Sequence, residues 1–251
     1  MRYFIDIAYK GSNFAGWQKQ KNAHTIQAEI EEKLCWFFKD DIEIVGSGRT
    51  DAGVHALQQI AHFNTDTEIV PDFFLYRLNK MLPESIIIKN IYEVDTKAHA
   101  RFDAIKRSYQ YHINRKKNPF SKQLALYYPD KIDSIKMQEA TKILLEYNDF
   151  QAFSKVHTDV DNYLCQIEEA NWEILEDKLV FHISANRFLR GMVRAIVGTL
   201  LSVGKNKITL EDFRNIIISK NRQNAGKSIA ADGLYLSEVL YDWEKIKNRD
   251  V

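Results

Sequence analysis

One loop constrains this chain more than any other segment. Gly46-Ser47-Gly48-Arg49-Thr50-Asp51-Ala52-Gly53-Val54-His55-Ala56 follows directly on the strand-like Ile42-Glu43-Ile44-Val45. Gly46, Gly48 and Gly53 give the backbone freedom and leave room for another backbone or a ligand to approach. Any fold must therefore carry a glycine-rich turn at the end of a strand. It must also accommodate the carboxylate of Asp51, the only acid between Glu43 and Asp66, two residues from the guanidinium of Arg49. An Asp in such a turn ordinarily caps a helix or closes an Asx-turn; the same isolation also suits a nucleophile. A phosphate cradle is excluded, because Val54-His55 stands where Lys-Ser/Thr is required and an Asp aimed into the cradle would repel phosphate.

Around this loop the periodicities predict a mixed α/β chain. Strand patterns cover residues 2–8, 42–45, 58–64 and 86–94, with helices over 25–38, N-capped by Thr25, and from Pro71 to 81. A second half opens with a strand at 106–114, on which Tyr109, Tyr111 and Ile113 share one face. A helix at 133–147, a hairpin over 164–186, helices at 188–203 and 210–219 and a last strand at 234–240 follow. The change of charge near residue 104 suggests two domains, 1–104 and 105–251.

At 251 residues, 45% hydrophobic and 27% charged, the chain is long and apolar enough to fold around a sizeable core. It has no run of membrane-spanning length and opens directly into a strand pattern, which predicts a cytoplasmic protein with no membrane partner. Cys35 and Cys165 are isolated and predict buried reduced thiols. The seven His have no metal-ligand spacing, so no metal is expected, and with neither a dinucleotide fingerprint nor a P-loop no cofactor is expected either. The net charge of +1 conceals a segregation: residues 104–129 and 178–210 each hold six Lys or Arg and no acid. Such stretches suit a phosphate-bearing partner.

The loop also carries a resemblance. Gly-Arg-Thr-Asp-Ala-Gly-Val-His-Ala is similar to the signature of the tRNA pseudouridine synthase A family. Further similar strings follow in family order: Gly11-Ser12-Asn13-Phe14-Ala15-Gly16-Trp17-Gln18-Lys19-Gln20, His99-Ala100-Arg101-Phe102-Asp103-Ala104, Arg107-Ser108-Tyr109-Gln110-Tyr111, Asn148-Asp149-Phe150, Phe188-Leu189-Arg190-Gly191-Met192-Val193-Arg194 and Gly233-Leu234-Tyr235-Leu236. The resemblance implies the pseudouridine synthase fold, an α/β (α+β) arrangement in which two similar ferredoxin/RRM-like halves form a largely antiparallel central sheet flanked by helices.

It implies isomerisation of uridine to pseudouridine at positions 38, 39 and 40 of the tRNA anticodon stem-loop by a homodimer without cofactor. Asp51 would be the catalytic nucleophile, adding to sugar or base, or the base that removes a ribose proton. Arg49 would fill the space left by the flipped nucleotide or grip its backbone. Tyr109 would lie against the uracil, with Phe188 as a further substrate contact, and Arg194 would pair with Asp51. His99, Ala100, Arg101, Phe102, Arg107, Arg115, Lys116, Lys117, Arg187 and Arg190 would contact the tRNA. His55 is expected to hold the loop through hydrogen bonds and not to transfer protons. The competing expectations are a pseudouridine synthase for another RNA and an inert RNA-binding module. Two stretches depart from the family: the acidic His157-Thr158-Asp159-Val160-Asp161-Asn162, where relatives carry Ser-Arg-Thr, and Ser228-Ile229-Ala230-Ala231, where they carry a proline.

Overall fold

The computed structural model describes residues 1–156 and 160–247. Two compact units are present, one made of Met1–Lys106 with the residues from Tyr235 onward, the other of Arg107–Leu234.

In the first unit the chain runs β1 (Arg2–Tyr9), α1 (Ile26–Phe38), β2 (Val45–Gly46), β3 (His55–Asn64), α2 (Pro71–Met81) and β4 (Ile86–Val94). The strands lie in the order β4-β1-β3-β2 and every neighbouring pair among these four is antiparallel. β1 is central and buried along nearly its whole length, with Phe4, Ile5 and Ile7 fully enclosed. Each such side chain contributes roughly 1.5–3 kcal/mol by leaving water. The helices close the core through an aromatic cluster in which Phe37 meets Phe74 edge-on at 5.3 Å and Phe38 lies 5.8 Å from Phe63. Both starts follow local rules: Thr25 accepts from the amide of Ala28, and Pro71 stands in the first turn of α2.

The expected strand at 42–45 reduces to β2, and the reason is local. Ile42 and Ile44 alternate with exposed Asp41 and Glu43 as a strand would. Their backbone groups, however, bond to side chains of α1. The Ile42 amide donates to the Cys35 sulfur at 3.2 Å and the Ile44 amide to Glu31 at 3.0 Å; the Ile44 carbonyl accepts from Gln27 at 3.0 Å. A segment whose amides are satisfied this way has none left for a neighbouring strand.

The second unit repeats the strand-helix-strand-strand-helix order with β5 (Ala104–Asn114), α3 (Ser134–Ile143), β7 (Ile167–Ile174), β8 (Lys178–Ala185) and α4 (Met192–Gly204). A short β6 (Leu126–Tyr127) on the end of β5 and α5 (Leu210–Ser219) are added. β5, β8 and β7 are antiparallel neighbours in that order, matching β1, β3 and β2. α4 is buried on almost every face. It starts at Met192, four residues later than the apolar spacing predicts, because Gly191 takes a φ of +72° that ends the preceding turn. Thr209 and Asp212 form a capping box that starts α5.

β9 (Leu234–Tyr241) and a short α6 (Trp243–Lys247) complete the chain. Where the sequence suggests a single C-terminal domain over 105–251, this tail belongs with the first unit. Tyr235 and Leu236 of β9 pair in parallel with His55 and Ala56 of β3, Tyr241 donates to the carbonyl of Ala100, and the Asp95 amide bonds Ile246 at 3.0 Å.

Candidate active site

The glycine loop is tied down on every side but one. Ser47 donates to Gln59 at 2.6 Å, and Gln59 in turn donates to the Gly48 carbonyl at 2.8 Å. Thr50 points inward: its hydroxyl meets that of Tyr9 at 2.8 Å and its carbonyl accepts from the Trp17 amide at 3.1 Å. The turn closes by Val54 N–H to the Asp51 carbonyl at 3.1 Å, with Gly53 at φ +80°. His55 is buried, accepts through Nδ1 from the Gly11 amide at 3.1 Å and stacks on Tyr235 at 4.6 Å. Accepting at Nδ1 places the proton of neutral His55 on Nε2, so the imidazole is a fixed strut of the loop. With Thr50 anchored between them, Arg49 stays exposed and Asp51 half-buried.

The segment Gly11–Trp17 is the buttress of this loop, a role that motif reading misses. A β-carbon on Gly11 would lie 1.9 Å from the Val54 carbonyl oxygen, and one on Gly16, at φ +98°, 2.6 Å from that of Thr50. Trp17 is 2% exposed and fills the space a side chain at Gly46 would need. The carbonyls of Gly16 and Trp17 then accept from the amides of Ile26 and Gln27, so the N-terminus of α1 is fastened to the same structure. The available signal is the pairing of two glycines with a tryptophan, since glycines beside a large aromatic mark close backbone packing.

In the same unit, His99, Arg101 and Phe102 form one exposed corner. The His99 ring lies 4.3 Å from Phe102, which is 76% exposed, and Arg101 stands over the Phe102 ring. Ala100 is fully buried, its amide bonding His62 Nδ1 at 3.2 Å and its carbonyl accepting from Tyr241. The sequence expects Ala100 to touch tRNA; burial leaves it no surface to do so, and it holds the corner in place. Burial, with the nearby Arg2, pushes the His62 pKa down to about 4.

The second unit holds the remaining expected residues. Tyr109 on β5 is half-buried and meets Phe188 edge-on at 5.0 Å. Arg194, on the first turn of α4, donates through Nε to the Ile229 carbonyl at 2.7 Å and accepts from the Ile229 amide at 3.3 Å through its own carbonyl. Tyr111 donates to the neighbouring Ala230 at 2.8 Å, and burial raises its pKa. The proline-free stretch 228–231 is thus held by α4 and β5 side chains.

Among the basic residues, Asn186 organises two: its carbonyl accepts from Arg107 at 2.9 Å, and its side chain accepts from the amide of Arg187 at 2.8 Å. Arg115 bonds the carbonyls of Tyr128 and Asp130, each at 2.7 Å, which makes it a clip between β5 and the segment after β6. Lys116 pairs with Asp177 at 2.8 Å, while Lys117 and Arg190 are exposed. Of the acidic departure, His157–Asp159 lie outside the described residues. Asn162 accepts from Arg187 at 3.5 Å. Among the described residues no helix is long and apolar enough to cross a membrane, and no group of three or more His, Cys, Asp or Glu could hold a metal ion.

An acid on a braced glycine loop in one βαββαβ unit, and an aromatic strand with an arginine helix in a unit that repeats the order of its first five elements, are what the resemblance to pseudouridine synthases leads one to expect. The family model described as tRNA pseudouridine synthase matches residues 7–103 and 140–242. The chain is 48% identical to tRNA pseudouridine synthase A of Parabacteroides distasonis over 97% of each chain. It is 46% identical to that of Porphyromonas gingivalis over 96% of this chain and 97% of the relative. To that of Bacillus pumilus it is 37% identical over 96% of this chain and all of the relative. The chain belongs to the tRNA pseudouridine synthase family, whose enzymes are isomerases.

Proposed function

We propose that this chain isomerises uridine to pseudouridine at positions 38, 39 and 40 of the tRNA anticodon stem-loop, with Asp51 as the reacting carboxylate. The observation that carries the reading is the bracing of the Asp51 loop: the hydroxyls of Ser47 and Thr50 and the amides of Ser47, Gly53 and Val54 are engaged within the protein, while Asp51 stays half-open beside exposed Arg49. A carboxylate held this way is positioned before substrate arrives, which is where enzymes gain rate.

In the reaction the bond from ribose C1' to uracil N1 breaks, the uracil turns, C5 joins C1', the C5 proton leaves and N1 takes up a proton, so the product is an isomer of the substrate and no electron is imported. Asp51 adds to the sugar or base, or removes a ribose proton. The target must leave the stack, at about a few kcal/mol, and Arg49 occupies the vacated space or grips the displaced backbone. Tyr109, its edge set by Phe188, lies against the uracil and assists loss of the C5 proton. Arg194 supplies the guanidinium that pairs with the Asp51 carboxylate. His99, Arg101, Phe102, Arg107, Lys116, Lys117, Arg187 and Arg190 hold the phosphates and sugars, which position the RNA without reading its sequence. The enzyme works in the cytoplasm as a homodimer, a state that native mass measurement tests directly.

The deciding experiment incubates the protein with unmodified tRNA transcripts and maps pseudouridine by position. Product at 38–40 is expected, and Asp51→Asn should abolish turnover while tRNA affinity stays within a few-fold. Product only at other sites or in other RNAs would assign a different substrate. Binding with no product in wild type would leave an RNA-binding module, and near-wild-type turnover in Asp51→Asn would remove Asp51 from the chemistry.

A further inference from the structure

Phe120, between β5 and β6, is 91% exposed. Its loop is ordered by its own chemistry. Pro119–Ser121 form a turn of 3-10 helix, capped by Asn118, whose side chain accepts from the Phe120 amide at 3.0 Å. Ser121 donates to the Asn118 carbonyl at 3.1 Å and accepts from Asn114 at the end of β5, and its carbonyl accepts from the amides of Leu124 and Ala125. Pro119 further restricts the backbone. The neighbours are Lys116, Lys117, Lys122 and Gln123, with no acid in the loop. Lys116 meets Asp177, but the two side chains are 70% and 47% exposed, so that pair exchanges readily with solvent or another anion.

A large aromatic held in water on a braced turn contributes nothing to the core. A lone ring among lysines also makes a poor protein-docking face, because its apolar area is small and lysine is depleted at such interfaces. The combination suits a nucleic acid, whose flat base faces stack on aromatics while lysines neutralise the adjoining phosphates. We propose that Phe120 is a stacking platform for an unpaired base of the RNA substrate, with Lys117 and Lys122 gripping the phosphates beside it. This rests on the RNA-modifying reading above and adds to it a contact with an unstacked nucleotide.

The test compares full-length wild type with Phe120→Ala, Phe120→Leu, Phe120→Trp and a Lys117→Ala/Lys122→Ala double variant. Each is titrated over a range of salt with an unmodified tRNA transcript and with a blunt RNA duplex that has no unpaired base. Phe120→Ala should melt like wild type, lose roughly 5- to 100-fold in tRNA affinity with an unchanged salt slope, and bind the duplex as wild type does. Phe120→Trp should retain affinity and Phe120→Leu should not. The double lysine variant should flatten the salt slope by about two units.

Wild-type affinity in Phe120→Ala, equal losses on tRNA and duplex, or full rescue by Leu would each overturn the proposal. A change in oligomeric mass in Phe120→Ala would assign the ring to a protein contact instead. A wild type that makes pseudouridine while Phe120→Ala is unaltered sinks this inference alone; a wild type that binds no RNA sinks it together with the functional reading.

Discussion

The carbonyl oxygen of Val54 sits where a β-carbon on Gly11 would have to go, 1.9 Å from that position. The backbone of the N-terminal motif and that of the Asp51 loop are in direct contact, and no side chain fits between them. Gly11→Ala should therefore force the loop away from its brace, destabilising by about 1–3 kcal/mol and lowering Tm by about 2–4 °C per kcal/mol, with turnover falling as well. Gly48→Ala is the control, because a β-carbon there meets nothing within 4 Å. Thermal melts of the two variants check the contrast: an unaltered Tm in Gly11→Ala, or a large drop in Gly48→Ala, would contradict it.

Stability should fall in mild acid through His62. Burial lowers its folded-state pKa to about 4, below the unfolded value of 6.5, and Nδ1 is occupied as acceptor from Ala100. The unfolded chain therefore binds the proton first. The stabilisation is complete above pH 6.5 and is lost as the pH falls toward 4. Tm measured across that window should drop more steeply in wild type than in His62→Gln, which keeps an acceptor and cannot titrate. Parallel profiles would show that His62 is not the source.

Arg115 and Lys117 are two residues apart in a basic run but should behave differently. Arg115 spends its guanidinium on the carbonyls of Tyr128 and Asp130. Its replacement by Ala should destabilise by about 1–3 kcal/mol. Lys117 is exposed. Its replacement should leave Tm unchanged and reduce the salt slope of tRNA binding by about one. Melting and salt titration of both variants separate the roles.

The two thiols should differ in reactivity, although the sequence expects both to be buried. Burial pushes the Cys165 pKa up to about 11, against a smaller opposing pull from Arg187, so at pH 8 only about a thousandth of it is the reactive thiolate. Cys35 is half-buried. Alkylation of the native protein at pH 8 followed by peptide mass analysis should find Cys35 modified first and Cys165 only after denaturation.

The elements whose signals are local were legible in the chain alone. α2 begins at Pro71, α5 begins at the Thr209–Asp212 capping box, and both end where their spacing predicts; β4 spans the predicted residues 86–94. The glycine loop was legible for the same reason: Gly53 needs its positive φ and Asp51 is the one acid there, whatever surrounds them. Features that depend on distant partners emerged from the folded chain. Ile42 and Ile44 alternate as a strand does, but Cys35, Glu31 and Gln27 take their backbone groups. Arg115 resembles its basic neighbours until two carbonyls 13 and 15 residues away claim it. β9 reads as the end of the second half, and its pairing with β3, about 180 residues earlier, joins it to the first unit. The brace under Asp51 is of this kind too. Propensity and capping act over three or four neighbouring residues and are written in the chain, whereas a close backbone contact such as that of Gly11 with Val54 exists only once the fold has brought the two segments together.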